Sequence, residues 1–427
     1  MLARPELLED IPAPWGVPLR LPGVPPELLR GELLRWLTGE LGAAPFGGAA
    51  AFAGTPLAIS GRLLPELRRL TEILERAFKA IVLNYSRDER IRRIYDLDPE
   101  LEDILALADG VPYAIGAFRP DVLQAADGGL KLCEIGARFP LNGWMISHYL
   151  DRAIARCGIW SGGAPARLVE DVPDAIQARF DPARPLAVLM QAEKGSEIHW
   201  LLDAFRARGM RVQCGVPGSL AATDRGCTLN GDPVSQFILE LDRTELRHLH
   251  PGALRHMIRT GACLNDVRTL ILVHDKRGLA VLYDASIMND YLPAGDHAFL
   301  RPYLIPSFSL HDAARRSAIA AQKDGWVLKR SSGGRGEGMY MGHECTPGQW
   351  RQLCGTQWRD YMAQAFVDQK PHRLDGTAEA IHFVGMLLCL DGRLCGPGIF
   401  RGSANAVINV HQGRGSIYPA ILCGEPR

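Results

Sequence analysis

Between Gly325 and Gly342 the chain reads GWVLKR-SSGGRGEG-MYMG, two apolar stretches of strand length joined by a run with glycine at 333, 334, 336 and 338. This stretch constrains the fold more than any other. A hairpin whose loop is mostly glycine leaves backbone N–H groups free to close on an anion. Because it joins two strands and does not open a helix, and lacks a terminal Lys-Ser/Thr, it is not a Walker-type phosphate loop. The protein-kinase glycine loop is also a hairpin, but its lysine lies on the strand after the loop. Here Lys329 precedes the loop, closing the strand WVLK. The chain has seven lysines among 48 basic residues, so positive surface charge is supplied by arginine. A lysine at the end of an apolar strand beside a glycine loop then reads as a clamp for nucleotide phosphates. The alternative is a lysine snorkelling over an ordinary hairpin.

The rest of the chain supplies an α/β setting. Leu63, Leu67, Leu70, Ile73, Leu74 and Phe78 recur at three- and four-residue steps and predict a helix over 63–80. Residues 113–136 read as a hairpin turning at Asp127-Gly128, and 382–401 as a second one turning at Asp391-Gly392. Residues 185–216 read as β-α-β: a strand PLAVLM, a helix from near Ser196 that stops at Gly209, and a strand RVQCGV. No GxGxxG follows the first of these strands, so a dinucleotide fingerprint is absent. Residues 1–60 show little period outside LLRGELLRWL, and no internal repeat emerges.

Composition narrows the function. The 427 residues imply two or three packed units. Basic and acidic residues balance at 48 each, which argues against a nucleic-acid-coating surface. No apolar run approaches the roughly 18–20 residues that span a bilayer. The opening residues mix charge and proline and do not read as a secretory signal. Ten cysteines without a CxxC fit reduced thiols, so a cytoplasmic protein is expected. GxSxG and HExxH are missing, and the cysteines of LKLCEI and LLCL sit in strands as small hydrophobes. Parts for phosphate are present without an obvious nucleophile, which favours phosphoryl chemistry.

Register arithmetic identifies candidate carboxylates. With Asp127-Gly128 at the centre of a two-residue turn, Asp121 faces Glu134 and Arg119 faces Gly136. Two carboxylates roughly 5 Å apart repel unless a cation joins them, and Mg²⁺ suits one or two carboxylates completed by phosphate and water. The competing reading is a pair compensated by Arg119 or Arg138. In the second hairpin the same reasoning sets His382 opposite Arg401, with Asn405 and Asn409 following.

The segments RPDVLQAADGGLKLCEIGARFPLNG, LVHDKRGLAVLYD, WVLKRSSGGRGEG and YMAQAFV, in that order, resemble the ATP-grasp superfamily. More narrowly they resemble its circularly permuted branch, which includes glutathionylspermidine-synthetase-like ligases and places the metal-binding strand upstream of the nucleotide lysines. The resemblance implies an α/β fold with a permuted ATP-grasp order and a pre-ATP-grasp β-α-β layer. It divides the chain into a helical and irregular region (1–110), the permuted metal-binding part (111–180), the pre-ATP-grasp domain (181–268) and the nucleotide-binding lobes (269–427). It implies that Lys276 and Lys329 hold the ATP phosphates and that Gly333, Gly334, Gly336 and Gly338 close over them. Gln364 to Val367 would form the hinge under the adenine, and Asp121 and Glu134 would bind Mg²⁺. Arg119, Arg138 and Arg401 would neutralise a substrate carboxylate or the transferred phosphoryl group. The family's Asn two residues after the Glu is Gly136 here, with Asn142 as a substitute ligand. The implied activity is an ATP-dependent carboxylate–amine ligase acting on small molecules through an acyl phosphate, with no nucleic-acid or membrane partner and a homodimer as the default assembly. A phosphotransferase on the same fold and a non-catalytic nucleotide-binding protein are the alternatives.

Overall fold

The computed structural model describes residues 15–424 apart from 22, 158–162, 192–196, 335, 337, 375–378, 406, 407, 409, 411, 412 and 414. At its centre is a five-stranded antiparallel sheet with the strand order Ser416–Tyr418, Arg393–Ser403, His382–Leu390, Ala117–Gln124 and Leu130–Gly136. Segments more than 250 residues apart in the chain thus pair directly, Leu123 opposite Val384 and Asp121 opposite Met386. The period-two alternation of strands divides the interior. Phe118, Val122, Leu387 and Phe400 face a core shared with the helix Leu64–Asn84, which buries Leu67, Leu70, Ile73, Leu74 and Phe78 as its periodicity predicts. Met386, Leu388, Ile399 and Ile417 face a second core shared with the helix Trp144–Cys157.

Both hairpins form, and their registers differ instructively from simple turn arithmetic. The first loop closes between Ala125 and Gly129, at 2.9 Å, which offsets the pairs nearest the turn by one residue. A bulge at Cys133 then absorbs the offset, so Asp121 does face Glu134 and Arg119 does face Gly136. The second hairpin has its tight turn, with Asp391 and Gly392 both at positive φ. Two irregularities follow, one between Leu394 and Gly396 and one between Pro397 and Phe400, and they leave His382 opposite Ser403 and Arg401 opposite Val384. The expected His382–Arg401 pair is therefore incorrect. Proline cannot donate to a ladder and belongs at such bulges. Asn405 is exposed beyond the strand end; Asn409 lies outside the described residues.

The β-α-β reading is matched by the parallel strands Leu186–Met190 and Val212–Gly215 and the helix Glu197–Ala207, extended by a third parallel strand, Gln236–Glu240. Its Ile198, Leu201, Leu202 and Phe205 are all buried. The lysine–glycine hairpin belongs to a separate four-stranded sheet ordered Ser307–Ser309, Tyr361–Ala365, Trp326–Arg330, Met339–Met341.

The described residues among the first 110 do not stand apart. Trp15–Pro18 and Leu57–Ser60 share a sheet with Ala420–Cys423 and Gly163–Pro165, joining the two ends of the chain. The Trp15 indole donates to the Val122 carbonyl and packs against Phe400, ring centres 5.0 Å apart, behind the central sheet. Among the described residues, no helix is long and apolar enough to cross a membrane.

Candidate functional site

A cavity of about 540 Å³ lies between the Met386 and Ile399 face of the central sheet and the lysine-bearing sheet. Its floor follows from the strand alternation. Ile417, Arg401, Val384 and Leu123 form one cross-strand row, and Met386, Asp121 and Glu134 form the next; all seven line the cavity. Arg119, Arg138, Lys329, Gly334, Gly336, Gln364 and Val367 line it as well, so most residues singled out from the sequence converge on one space. Gln364 lies inside the strand Tyr361–Ala365 with its amide donating to Ser307 Oγ at 3.1 Å, whereas Val367 lies past the strand end.

The charged end is built around Glu134. Lys276 Nζ sits 3.2 Å from its carboxylate and donates to the Gly333 carbonyl at 3.0 Å, tying the glycine loop to the floor. Lys329 Nζ donates to the Cys133 carbonyl at 2.9 Å, the next residue along. The Cys133 bulge thus serves both the carboxylate register and the lysine. Burial would push the Glu134 carboxyl up, but the two ammonium groups outweigh it and hold the carboxyl down at about 2. The same burial pushes the Lys329 ammonium down from its usual range. Asp121 is paired with Arg401, yet burial and the facing Glu134 still push its carboxyl upward. The compensating arginine is therefore Arg401, rather than Arg119 or Arg138.

Arg119 is engaged elsewhere. Its guanidinium donates to the carbonyls of Phe139 and Pro140, both at 2.9 Å, and to that of Arg138 at 3.3 Å. It fills the space a side chain at 136 would need: a Cβ on Gly136 would lie 2.9 Å from Arg119 Nη2. A side chain at 136 therefore requires the Arg119 guanidinium to shift. Arg138 pairs with Asp242 at 2.7 Å and approaches the glycine loop, where a Cβ on Gly334 would stand 3.0 Å from Arg138 Nη2.

Several site residues escape the sequence reading, which names only Lys276 of the HDKR run. The four residues His274, Asp275, Lys276 and Arg277 are only 5, 2, 9 and 4% exposed. They connect a π-helical turn, Thr269–Val273, to the helix Gly278–Tyr283. Asp275 accepts from both Arg243 and Arg277, which hold its carboxyl down at about 2 against its burial, and Arg243 continues to Ser331 Oγ. Together with the Lys276 N–H to Ser331 carbonyl bond, this network aims Lys276 at Glu134. Burial, reinforced by Lys276 and Arg138, pushes the His274 imidazole down to about 3, so it is neutral at physiological pH. Asn265 pins the hairpin ends, bonding to the Ala117 N–H and to the carbonyls of Ala117 and Ala137. The available signal was four ionisable residues in a row, HDKR, between the apolar runs LILV and GLAVLY. Cys133 lines the cavity, but burial pushes its thiol up to about 12, which suits a packing residue and not a nucleophile.

Among the described residues, no group of three or more His, Cys, Asp or Glu side chains is placed to hold a metal ion. Asp121 and Glu134 do face each other on the cavity floor, a donor pair that fits a cation taking the rest of its shell from phosphate and water. Away from the lysines the lining becomes apolar: Phe46, Phe139, Met386, Ile399 and Ile417. Phe46 and Phe139 have φ of 52° and 43°. Left-handed backbone at a bulky residue costs on the order of 1–3 kcal/mol and gathers at functional sites. The other non-glycine residues with positive φ, among those described, are Asn or Asp.

A family model described as the AnkG N-terminal domain matches residues 70–272, a span that holds the first hairpin and the parallel sheet and ends just before HDKR. No curated protein sequence matches the chain. Among solved structures, the apo form of a glutathione synthetase-like effector, GSS30, from Globodera pallida is similar over 93% of this chain and 98% of that one, with a TM-score of 0.54 and 12% identity. Likeness at that identity concerns the fold, and the chain accordingly has a glutathione synthetase-like α/β fold.

Proposed function

We propose that the chain is an ATP-dependent carboxylate–amine ligase of permuted ATP-grasp order, joining two small molecules through an acyl phosphate. The observation that carries this reading is the convergence of two buried lysines, Lys276 and Lys329, on Glu134 beneath a glycine loop. Two buried ammonium groups, one on the Glu134 carboxylate and one on the neighbouring Cys133 carbonyl, are poised to exchange part of those contacts for a polyphosphate. Val327 and Met341 on the small sheet, with Val367 just past its strand end, offer an apolar slot for a base at the same side of the cavity.

In the proposed reaction a substrate carboxylate oxygen attacks the γ-phosphorus of ATP, the bond to the β-phosphate oxygen breaks, and ADP leaves. An amine then attacks the acyl carbon, phosphate departs with the bonding pair, and the amine's proton passes to phosphate or water. Asp121 and Glu134 would hold Mg²⁺, which would supply charge neutralisation on the phosphates. Lys276 and Lys329 position the polyphosphate, and the glycine loop with Arg138 covers it. Arg401, bridging Asp121 and the apolar row, is placed to receive the incoming carboxylate. Most of the catalytic effect would come from alignment and exclusion of water.

One observation favours a second reading, a nucleotide-binding protein without ligase turnover: Arg119 occupies the space beside Gly136 where the family carries a metal-ligating side chain. Titration with ATP and Mg²⁺ tests what the two readings share. Micromolar binding, weakened about a hundredfold in Lys329→Ala, is expected; an unchanged affinity in that variant would remove both.

A further inference from the structure

The cavity floor changes character along one direction. It runs from Glu134 and Asp121 on one side of the central sheet, across Met386, to Arg401 and Ile399 on the next-to-last strand and Ile417 on the opposite edge strand. Neighbouring strands lie about 4.8 Å apart, so the Ile417 strand is roughly 14 Å from the Asp121 strand. That distance leaves room for a second molecule beyond the phosphates. Phe46 and Phe139 complete this end, both held in left-handed backbone conformations. Phe46 is braced edge-on against Trp200, ring centres 6.1 Å apart, and against Phe52 at 6.3 Å. The bracing turns an otherwise disfavoured aromatic towards the cavity.

We propose that this end is a side-chain pocket for an apolar carboxylate, an aromatic or branched-chain acid or amino acid. The carboxylate lies by Arg401 and the side chain rests on Ile399, Ile417 and the two phenylalanines. The inference deepens the ligase reading, because the bound acid is the acceptor of the phosphoryl group. A charged side chain is disfavoured there, since it would lose its water over Ile399 and Ile417 while the lining charges Arg119 and Glu197 are already engaged by backbone groups. Selectivity comes from shape and apolar contact.

The test is calorimetric titration of the full chain with 3-phenylpropanoate, L-phenylalanine, L-leucine and L-glutamate, each with and without ADP and Mg²⁺. A separate ATP titration is run on the same protein. The apolar acids should bind at least about tenfold tighter than glutamate, the discrimination that one or two apolar groups supply. Phe46→Gly suits the positive φ and keeps the turn, and it should erase most of that preference. Ile399→Thr, which retains β-branching but introduces a hydroxyl, should do the same independently. Equal or tighter binding of glutamate, or no binding of either phenyl acid, overturns the inference even if ATP binds. So does a preference that survives both substitutions. A preference for apolar acids without ATP binding supports the pocket and overturns the ligase reading.

Discussion

The two ends of the cavity are built on opposite principles. At the lysine end nearly every charge is held by another: Lys276 with Glu134, Arg401 with Asp121, Arg138 with Asp242, and Asp275 between Arg243 and Arg277. Buried charges of this kind are tolerated only when paired, so fold and chemistry there depend on the same contacts. At the apolar end the lining charges Arg119 and Glu197 are held by backbone groups, and two phenylalanines are held in strained backbone. The first end can change little without losing both stability and reaction. The second can change its lining and alter only what is bound. On the proposed ligase reading, this would allow substrates to vary while phosphate handling is kept.

The largest effect expected at the charged end is on turnover. Glu134→Gln should reduce ADP release by about a thousandfold, the scale seen when a preorganised charge at the reacting centre is removed. Its circular dichroism should remain that of the native chain; loss of folded structure would mean the residue is structural alone. Asp275→Asn should act on stability first. With two arginines left short of their counter-charge, unfolding should become easier by about 3–5 kcal/mol in a denaturant titration. If the loss is under about 1 kcal/mol, the network does not carry the lysine end.

A third expectation concerns pH. Burial pushes the Glu197 carboxyl up to about 7 although it accepts from the Gly143 and Ile146 N–H groups, at 2.6 and 2.9 Å. Below about 7 the folded chain keeps a proton that the unfolded chain releases near 4.5. Folding therefore takes up a proton in this window: the contribution is fully present below about 4.5 and is lost as pH rises through 7. The change amounts to about 3 kcal/mol. Glu197→Gln should flatten stability measured between pH 4.5 and 7.5; an unchanged slope would assign the dependence to other groups. The smallest effect is expected at Gly136→Asn, which must displace the Arg119 guanidinium. The strain should cost about 1–3 kcal/mol, read as a lower denaturation midpoint. A variant as stable as the parent would mean that Arg119 moves aside freely and that the position can hold a ligand.

Local patterns were legible where one turn or one period decided the outcome. The helix at Leu64–Asn84, the lysine–glycine hairpin and the β-α-β unit all follow from them. The Asp121–Glu134 pair was also expected, although by a route that succeeds only because the Cys133 bulge offsets the wider loop. Irregularities add up along a strand, and near Pro397 nothing cancels them, so His382 and Arg401 part company. Contacts that depend on tertiary closure left weaker traces. Burial of HDKR among Arg243, Ser331 and Glu134 joins segments that no periodicity relates. Likewise Arg119 pointing along its own strand partner, at the carbonyls of 138–140, and Phe46 turning towards the cavity are decided by packing around them. Sequence spacing carries no record of such choices.

The central claim is that the lysine end drives bond formation between an acid and an amine, and nucleotide product analysis tests it most directly. The protein is incubated with ATP, Mg²⁺ and pooled apolar acids, amino acids, small peptides and amines, omitting the acids or the amines in parallel reactions. The account expects ADP and phosphate in equal amounts, formed only when both an acid and an amine are present. ATP bound tightly but left intact in every mixture, or converted to AMP, would contradict it.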